Sequence, residues 1–166
     1  MKPVIRKATK RDSKAFLELL VGLANFEHLA PPDAGARRRI TRDVFVNKKI
    51  NLLLACVGES VVGYALYFYT YSSFLARPTL YLEDIFVLDE FRRRGVGKML
   101  FLACVDEAVR RRCGRMEWAV LTWNEKAISF YEGLGAKRLD DWYVYRLPSA
   151  VLGRLSNPAD LHSQPD

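Results

Sequence analysis

A mixed α/β domain is the fold class this sequence predicts, on three observations. The chain has 166 residues, 50% of them hydrophobic and 27% charged, enough to bury one sizeable core. Runs rich in β-branched and aromatic residues alternate with stretches whose apolar residues recur at helical spacing. One strand-like run, Thr79 to Val87, leads into an arginine- and glycine-rich turn that opens a helical stretch.

The elements follow in order. Pro3 to Ala8 reads as a short strand. Asp12 can cap a helix on which Phe16, Leu19, Leu20, Leu23 and Phe26 share a face, ending near Leu29. Ala30 to Gly35 holds two prolines and a glycine and reads as a loop, with Thr41 capping a second short helix through Asn47. Asn51 to Val57 and Val61 to Tyr71 flank Gly58-Glu59-Ser60 as a hairpin, and Ser72 to Pro78 is a loop before the strand Thr79 to Val87. Gly95 opens a helix that buries Met99, Leu100, Ala103, Ala108 and Val109 and stops at Gly114. Met116 to Leu121 is a strand, Asn124 caps a helix ending at Gly135, and Trp142 to Leu147 reads as a last strand. One domain over residues 1–155, with a mixed central sheet flanked by helices and a loose polar tail over 156–166, is expected.

Composition excludes several function classes. No apolar run approaches the roughly 20 residues of a membrane span, so no membrane partner is expected. Three cysteines outside any Cys-x-x-Cys motif, with no apolar signal core, point to a reduced, cytoplasmic setting. His28 and His162 are too few and too distant for a structural zinc, and no metal is expected. The net charge of +7 suits nucleic acid, a phosphate-rich cofactor, or simply a scattered solvated excess. No helix-turn-helix, zinc finger or aromatic-basic motif accompanies it, so nucleic acid is not the expected partner.

Tyr81-Leu82-Glu83-Asp84-Ile85-Phe86-Val87 runs through Leu88 to Phe91 into Arg92-Arg93-Arg94-Gly95-Val96-Gly97-Lys98. A glycine turn opening a helix gathers unpaired N–H groups and the positive helix end at one point, which suits phosphate oxygens, and arginines add charge-assisted contacts. A Rossmann turn would need a third glycine where Leu100 stands, and a P-loop would need Ser or Thr where Met99 stands.

Arg92-Arg93-Arg94-Gly95-Val96-Gly97 resembles the Arg/Gln-x-x-Gly-x-Gly/Ala signature of the GCN5-related N-acetyltransferases. Trp123-Asn124, Ala127 to Tyr131 and Gly135-Ala136 resemble that family's second motif. The likeness covers Ile5 to Leu147, and Tyr81 to Asp84, Trp123-Asn124 and Asn25-Phe26-Glu27 are closest to the diamine/polyamine and thialysine-acetylating branch. The resemblance implies acetyl-CoA as cosubstrate. The Arg92 to Gly97 loop, with Val96 and Lys98 in it, would hold the pyrophosphate, and backbone N–H groups of Ile85, Phe86 and Val87 the pantetheine arm, as an added strand does. Asn124 would cap its helix, touch acetyl-CoA, or both.

Acetyl transfer to an amine needs a base, because a lysine-like amine with a pKa of about 10.4 is mostly charged at neutral pH. Glu83 is the candidate, since an acid in an apolar strand needs a purpose or a partner; the plain alternative is an ion pair with an arginine. The resemblance gives it the role of base through water. Strand alternation puts Tyr81, Glu83 and Ile85 on one face and Leu82, Asp84 and Phe86 on the other, so Asp84 would reach substrate only if a bulge reorients the strand. Tyr131 is either a core aromatic or, by the resemblance, the general acid: a phenol near about 10 can protonate a thiolate whose conjugate acid lies near about 8.5.

A cationic acceptor calls for carboxylates, and Glu27, Glu83 and Asp84 are the candidates. Ser72-Ser73 stands where the resembled polyamine enzymes carry an acid and the thialysine-type relatives a serine, which fits a shorter amine, such as a lysine-like amino acid or a diamine; the Gly58 turn is also shorter than in the branch's animal members. The resemblance also implies a homodimer with the C-terminal strand near a shared site, Trp142 matching a family tryptophan. A protein lysine or N-terminal acetyltransferase is the enzymatic alternative. A non-catalytic acyl-CoA or nucleic-acid binding module is the alternative of another class.

Overall fold

The computed structural model describes residues 2–156, so the expected tail, Ser156 apart, lies outside the described residues. The chain divides into two compact units, Met1–Ala119 and Val120–Asp166. The first holds β1 (Val4–Lys7), α1 (Ser13–Phe26), α2 (Ala34–Phe45), β2 (Asn51–Val57), β3 (Ser60–Ser72), β4 (Arg77–Val87), α3 (Val96–Arg110) and β5 (Arg115–Trp118). The five strands lie in chain order, β1 to β4 antiparallel and β4–β5 parallel, which makes the mixed sheet the sequence predicts. The second unit holds α4 (Glu125–Gly133) and α5 (Ser149–Leu155).

Pleating splits the sheet residues between two layers. Leu52, Leu54, Cys56, Tyr64, Leu66 and Phe86 form one core with Phe16, Leu19 and Leu23 of α1 and Val44 and Phe45 of α2. The Phe16 ring meets Tyr64 edge-on at 5.3 Å, and both residues are fully buried. Each such side chain contributes about 1.5–3 kcal/mol by leaving water. The opposite face, with Leu53 and Tyr67, lies against α3, where Tyr67 sits close to Cys104 and the buried Glu107.

Several expectations are corrected. On α3, Met99 and Val109 are exposed rather than buried. The second helix starts at Ala34 rather than after Thr41, because Asp33 caps it: its carboxylate accepts from the Ala36 N–H at 2.7 Å. Pro31 and Pro32 sit just ahead of that cap, where prolines do no harm to a helix. Asp12 stands at the start of α1 but does not cap it with its side chain; it accepts from Arg6 at 2.7 and 2.8 Å and from the Thr9 N–H at 2.7 Å. β5 ends at Trp118, short of Leu121. Trp142 to Leu147 forms no strand: the segment carries β-rich residues but pairs with no strand among the described residues, and a strand exists only through its ladder. Trp142, Tyr143, Val144 and Tyr145 are instead 76–91% exposed.

Candidate active site

β4 changes character partway along. Thr79 to Leu82 pair with β3 on one side and with β5 on the other, Leu82 opposite Trp118 being the last parallel pair. From Asp84 to Val87 only β3 is paired among the described residues. The change coincides with a bulge. Leu66 pairs with Asp84 and the next residue, Tyr67, pairs with Leu82, so Glu83 is the extra residue opposite the two. A bulge bends its strand and disrupts the ladder locally, which fits the loss of β5 at this point.

The bulge overturns strict alternation. Asp84 and Phe86 pair with Leu66 and Tyr64 on the α1 side, whereas Leu82 pairs with Tyr67 on the α3 side. Leu82 therefore does not share a face with Asp84 and Phe86. Glu83 is exposed at the bulge, and Asp84 turns inward, half-buried.

Asp84 lines a cavity of about 260 Å³ together with Glu27, at the end of α1. Leu20, Leu23, Leu29 and Pro32 supply apolar wall. Burial pushes the Asp84 carboxyl up to about 6, and the negative charges of Glu83 and Glu27 push the same way. The Tyr64 hydroxyl, 3.4 Å from Asp84 Oδ2, opposes them by favouring the charged form. Glu27 is raised too, by burial. The cavity thus holds two carboxyls in a partly apolar setting, each raised above its ordinary range. Sequence reasoning missed Tyr64, because only the cross-strand register brings it to Asp84; the one signal was its place two residues before Leu66 on the same strand face.

Past Val87 the chain makes a short 3₁₀ turn, Asp89–Phe91, and enters α3 through Arg92 to Gly95. Arg93 (φ 58°) and Gly95 (φ 79°) adopt left-handed backbone, and nothing lies within 4 Å of where a Gly95 Cβ would stand. Gly95 is thus there for its dihedral and leaves open space in front of the helix end. No side chain caps α3, and its first backbone bond runs from the Met99 N–H to Gly95 O. The N–H groups of Val96, Gly97 and Lys98 so have no intrahelical acceptor. Arg93, Arg94 and Lys98 are exposed around them. This donor set fits a pyrophosphate. Arg92 is engaged elsewhere: its Nε donates to Val87 O at 2.8 Å, it pairs with Asp89 at 2.8 Å, and its guanidinium lies 4.6 Å from the Phe26 ring centroid. It ties the turn to α1.

The first unit thus brings together Glu27, Glu83, Asp84, the Ile85–Val87 edge and the Arg92–Lys98 turn. Tyr131 and Asn124 belong to the second unit. Tyr131 is buried on α4, its ring 5.2 Å from that of Phe130. Asn124 caps that helix, its Oδ1 accepting from the Ala127 N–H at 3.3 Å. A larger open groove of about 510 Å³ lies along α3 and β1, but its buried carboxylate, Glu107, is taken by ion pairs from Lys7, at 3.3 Å, and Arg110.

No helix among the described residues is long and apolar enough to cross a membrane. Known proteins resemble the chain over most of its length. The signature of the acetyltransferase (GNAT) family matches residues 17–136. An L-ornithine N5-acetyltransferase of Arabidopsis thaliana is 40% identical over 111 residues, covering 67% of this chain but only 46% of that protein. A thialysine N-epsilon-acetyltransferase of Mus musculus is 32% identical over 164 residues, covering 92% of this chain and 96% of that one. Among solved structures, an integron cassette protein from the mobile metagenome of V. cholerae shares the fold with a TM-score of 0.78 at 20% identity, over 93% of this chain and 98% of that one. With bulge, open strand edge and uncapped helix turn all inside the matched span, the chain belongs to the acetyltransferase (GNAT) family, a family of acyltransferases.

Proposed function

We propose that this protein is an acetyl-CoA-dependent N-acetyltransferase acting on a primary amine of a small molecule, of the thialysine- or lysine-like amino acid or diamine/polyamine class. The observation that carries the reading is the bulge at Glu83. It exposes Glu83 and turns Asp84 inward, into the cavity that Glu27 lines from the end of α1, which supports a site for a cationic acceptor. The names of the similar proteins, an ornithine and a thialysine acetyltransferase, support an amine with a second charged group.

Acetyl-CoA supplies the activated thioester. The N–H groups of Val96, Gly97 and Lys98, with Arg93 and Arg94, hold its pyrophosphate. The N–H groups of Ile85 to Val87 that β3 leaves unused receive its pantetheine arm. Glu27 and Asp84 take the acceptor's cationic group. Glu83, exposed at the bulge, takes the proton from the attacking amine through water, and the Tyr131 hydroxyl gives its proton to the departing sulfur. Tyr131→Phe is expected to cut turnover by roughly 10²-fold while leaving acetyl-CoA binding intact; equal turnover removes Tyr131 from the chemistry.

The same reading makes the chain a homodimer. The run of exposed apolar residues from Trp142 to Tyr145 supports it, as an apolar surface that a second copy would cover. Light scattering at two concentrations tests it. Three free cysteines support a reducing, cytoplasmic compartment. The deciding experiment is release of CoA thiol from acetyl-CoA with thialysine, lysine, ornithine, putrescine, spermidine, a lysine peptide and an amine-free blank. Turnover with a small amine carries the proposal. Turnover with the peptide alone replaces it with protein acetylation.

A further inference from the structure

Asp84 stands out among the carboxylates of the cavity. It is the one that meets a buried hydroxyl, and the hydroxyl comes from a different strand. Tyr64 is fully buried on β3, its ring edge-on to Phe16 at 5.3 Å and 6.4 Å from Phe86. The ring needs no hydroxyl for that packing. Burial pushes the phenol well above its ordinary range, so it stays a proton donor at every working pH. Its oxygen lies 3.4 Å from Asp84 Oδ2. Oδ2 is thereby held by β3, and Asp84 lines the cavity that Glu27 shares.

We propose that Tyr64 is a positioning residue of the acceptor site, holding Asp84 charged and oriented so that the cavity recognises a cationic group on the amine substrate. The proposal rests on the reading of Asp84 as an acceptor-binding residue. Three titratable groups act on Asp84 among the described residues. Glu27 comes from the end of α1, Glu83 from the neighbouring bulge and Tyr64 from β3, and of these only Tyr64 favours the charged form. Arg92, which stacks on Phe26 and Phe86 nearby, is committed to Val87 O and Asp89. Without the hydroxyl, two like charges and burial act on Asp84 unopposed, and the carboxyl keeps its proton to higher pH. A protonated Asp84 offers no charge to an ammonium group.

The test is Tyr64→Phe, which keeps the ring. Two quantities are measured from pH 5 to pH 9: the titration midpoint of Asp84, by carboxyl-carbon NMR, and KM and kcat for the best amine of the panel. The midpoint should rise from about 6. KM should rise roughly three- to tenfold near pH 7, with the effect falling mainly on KM, and the acid limb of kcat/KM should move to higher pH. In an Asp84→Asn background the same substitution should change KM less than twofold, since the partner it acts through is gone. An unmoved midpoint overturns the proposal, and so does a moved midpoint with unchanged KM. A KM effect that persists in Asp84→Asn overturns it as well, by showing plain repacking. A wild type inactive with every amine is seen before any variant is made, and it overturns the acetyl-transfer reading itself.

Discussion

The two halves of β4 make different use of the same strand. Thr79 to Leu82 are locked between β3 and β5, and Thr79, Leu80 and Leu82 are buried. Glu83 to Val87 keep one neighbour, begin with an extra residue, and carry both acidic side chains of the strand. The first half is held by packing and ladder. The second has backbone groups and carboxylates to spare, which is what a bound molecule needs. One inserted residue marks the border between them.

The widest separation between the halves should come from Glu83→Gln. It is expected to lose roughly 10²–10⁴-fold in turnover near neutral pH and to regain part of it at high pH, where free amine is abundant, with little change in unfolding midpoint because Glu83 is exposed. A pH–rate profile parallel to the wild type's would remove Glu83 as base. Leu82→Ala, one residue away in the closed half, should do the reverse. Deleting a side chain that is 2% exposed should cost about 2–5 kcal/mol in denaturant unfolding, with the folded fraction keeping its turnover per molecule. The smallest effect sharpens the contrast by its sign. The Asp84 carboxyl sits at about 6 against an ordinary 3.8, so the folded protein binds that proton more tightly than the unfolded chain does. Asp84 therefore costs stability progressively as pH rises through that window, and Asp84→Asn should raise the melting temperature at pH 7 while leaving it unchanged at pH 3. A variant less stable than wild type at pH 7 would mean that the charge is compensated by contacts other than Tyr64.

What could be read in the sequence was local. Gly95 and its arginines are contiguous with the strand before them, so the glycine turn that opens α3 was legible. The five strands of the sheet were legible because their apolar runs are bounded by turn residues. The bulge was not. It consists of a register difference between Leu66-Tyr67 and Leu82-Asp84, and nothing within β4 alone records where its partner skips a residue. Leu82 was hence placed on the face of Asp84 and Phe86, which it does not share, and Tyr64 was not singled out. Trp142 to Leu147 erred in the other direction, composition promising a strand for which the described residues hold no ladder partner. The start of α2 was lost because Pro31-Pro32 read as the middle of a loop, when they are the approach to the Asp33 cap.

Close approach between strands leaves one further mark. At Gly63, opposite Val87, a Cβ would stand 2.7 Å from Phe86 O. Any side chain there must push β3 and β4 apart at the very stretch where β4 has no second neighbour to brace it. In the vocabulary of inheritance, Gly63 is a position where nearly every single-base missense change would be silent in the chemistry of the site and loud in its shape. A collection of functional variants should find it close to immutable, while the exposed Glu59 four residues earlier drifts freely.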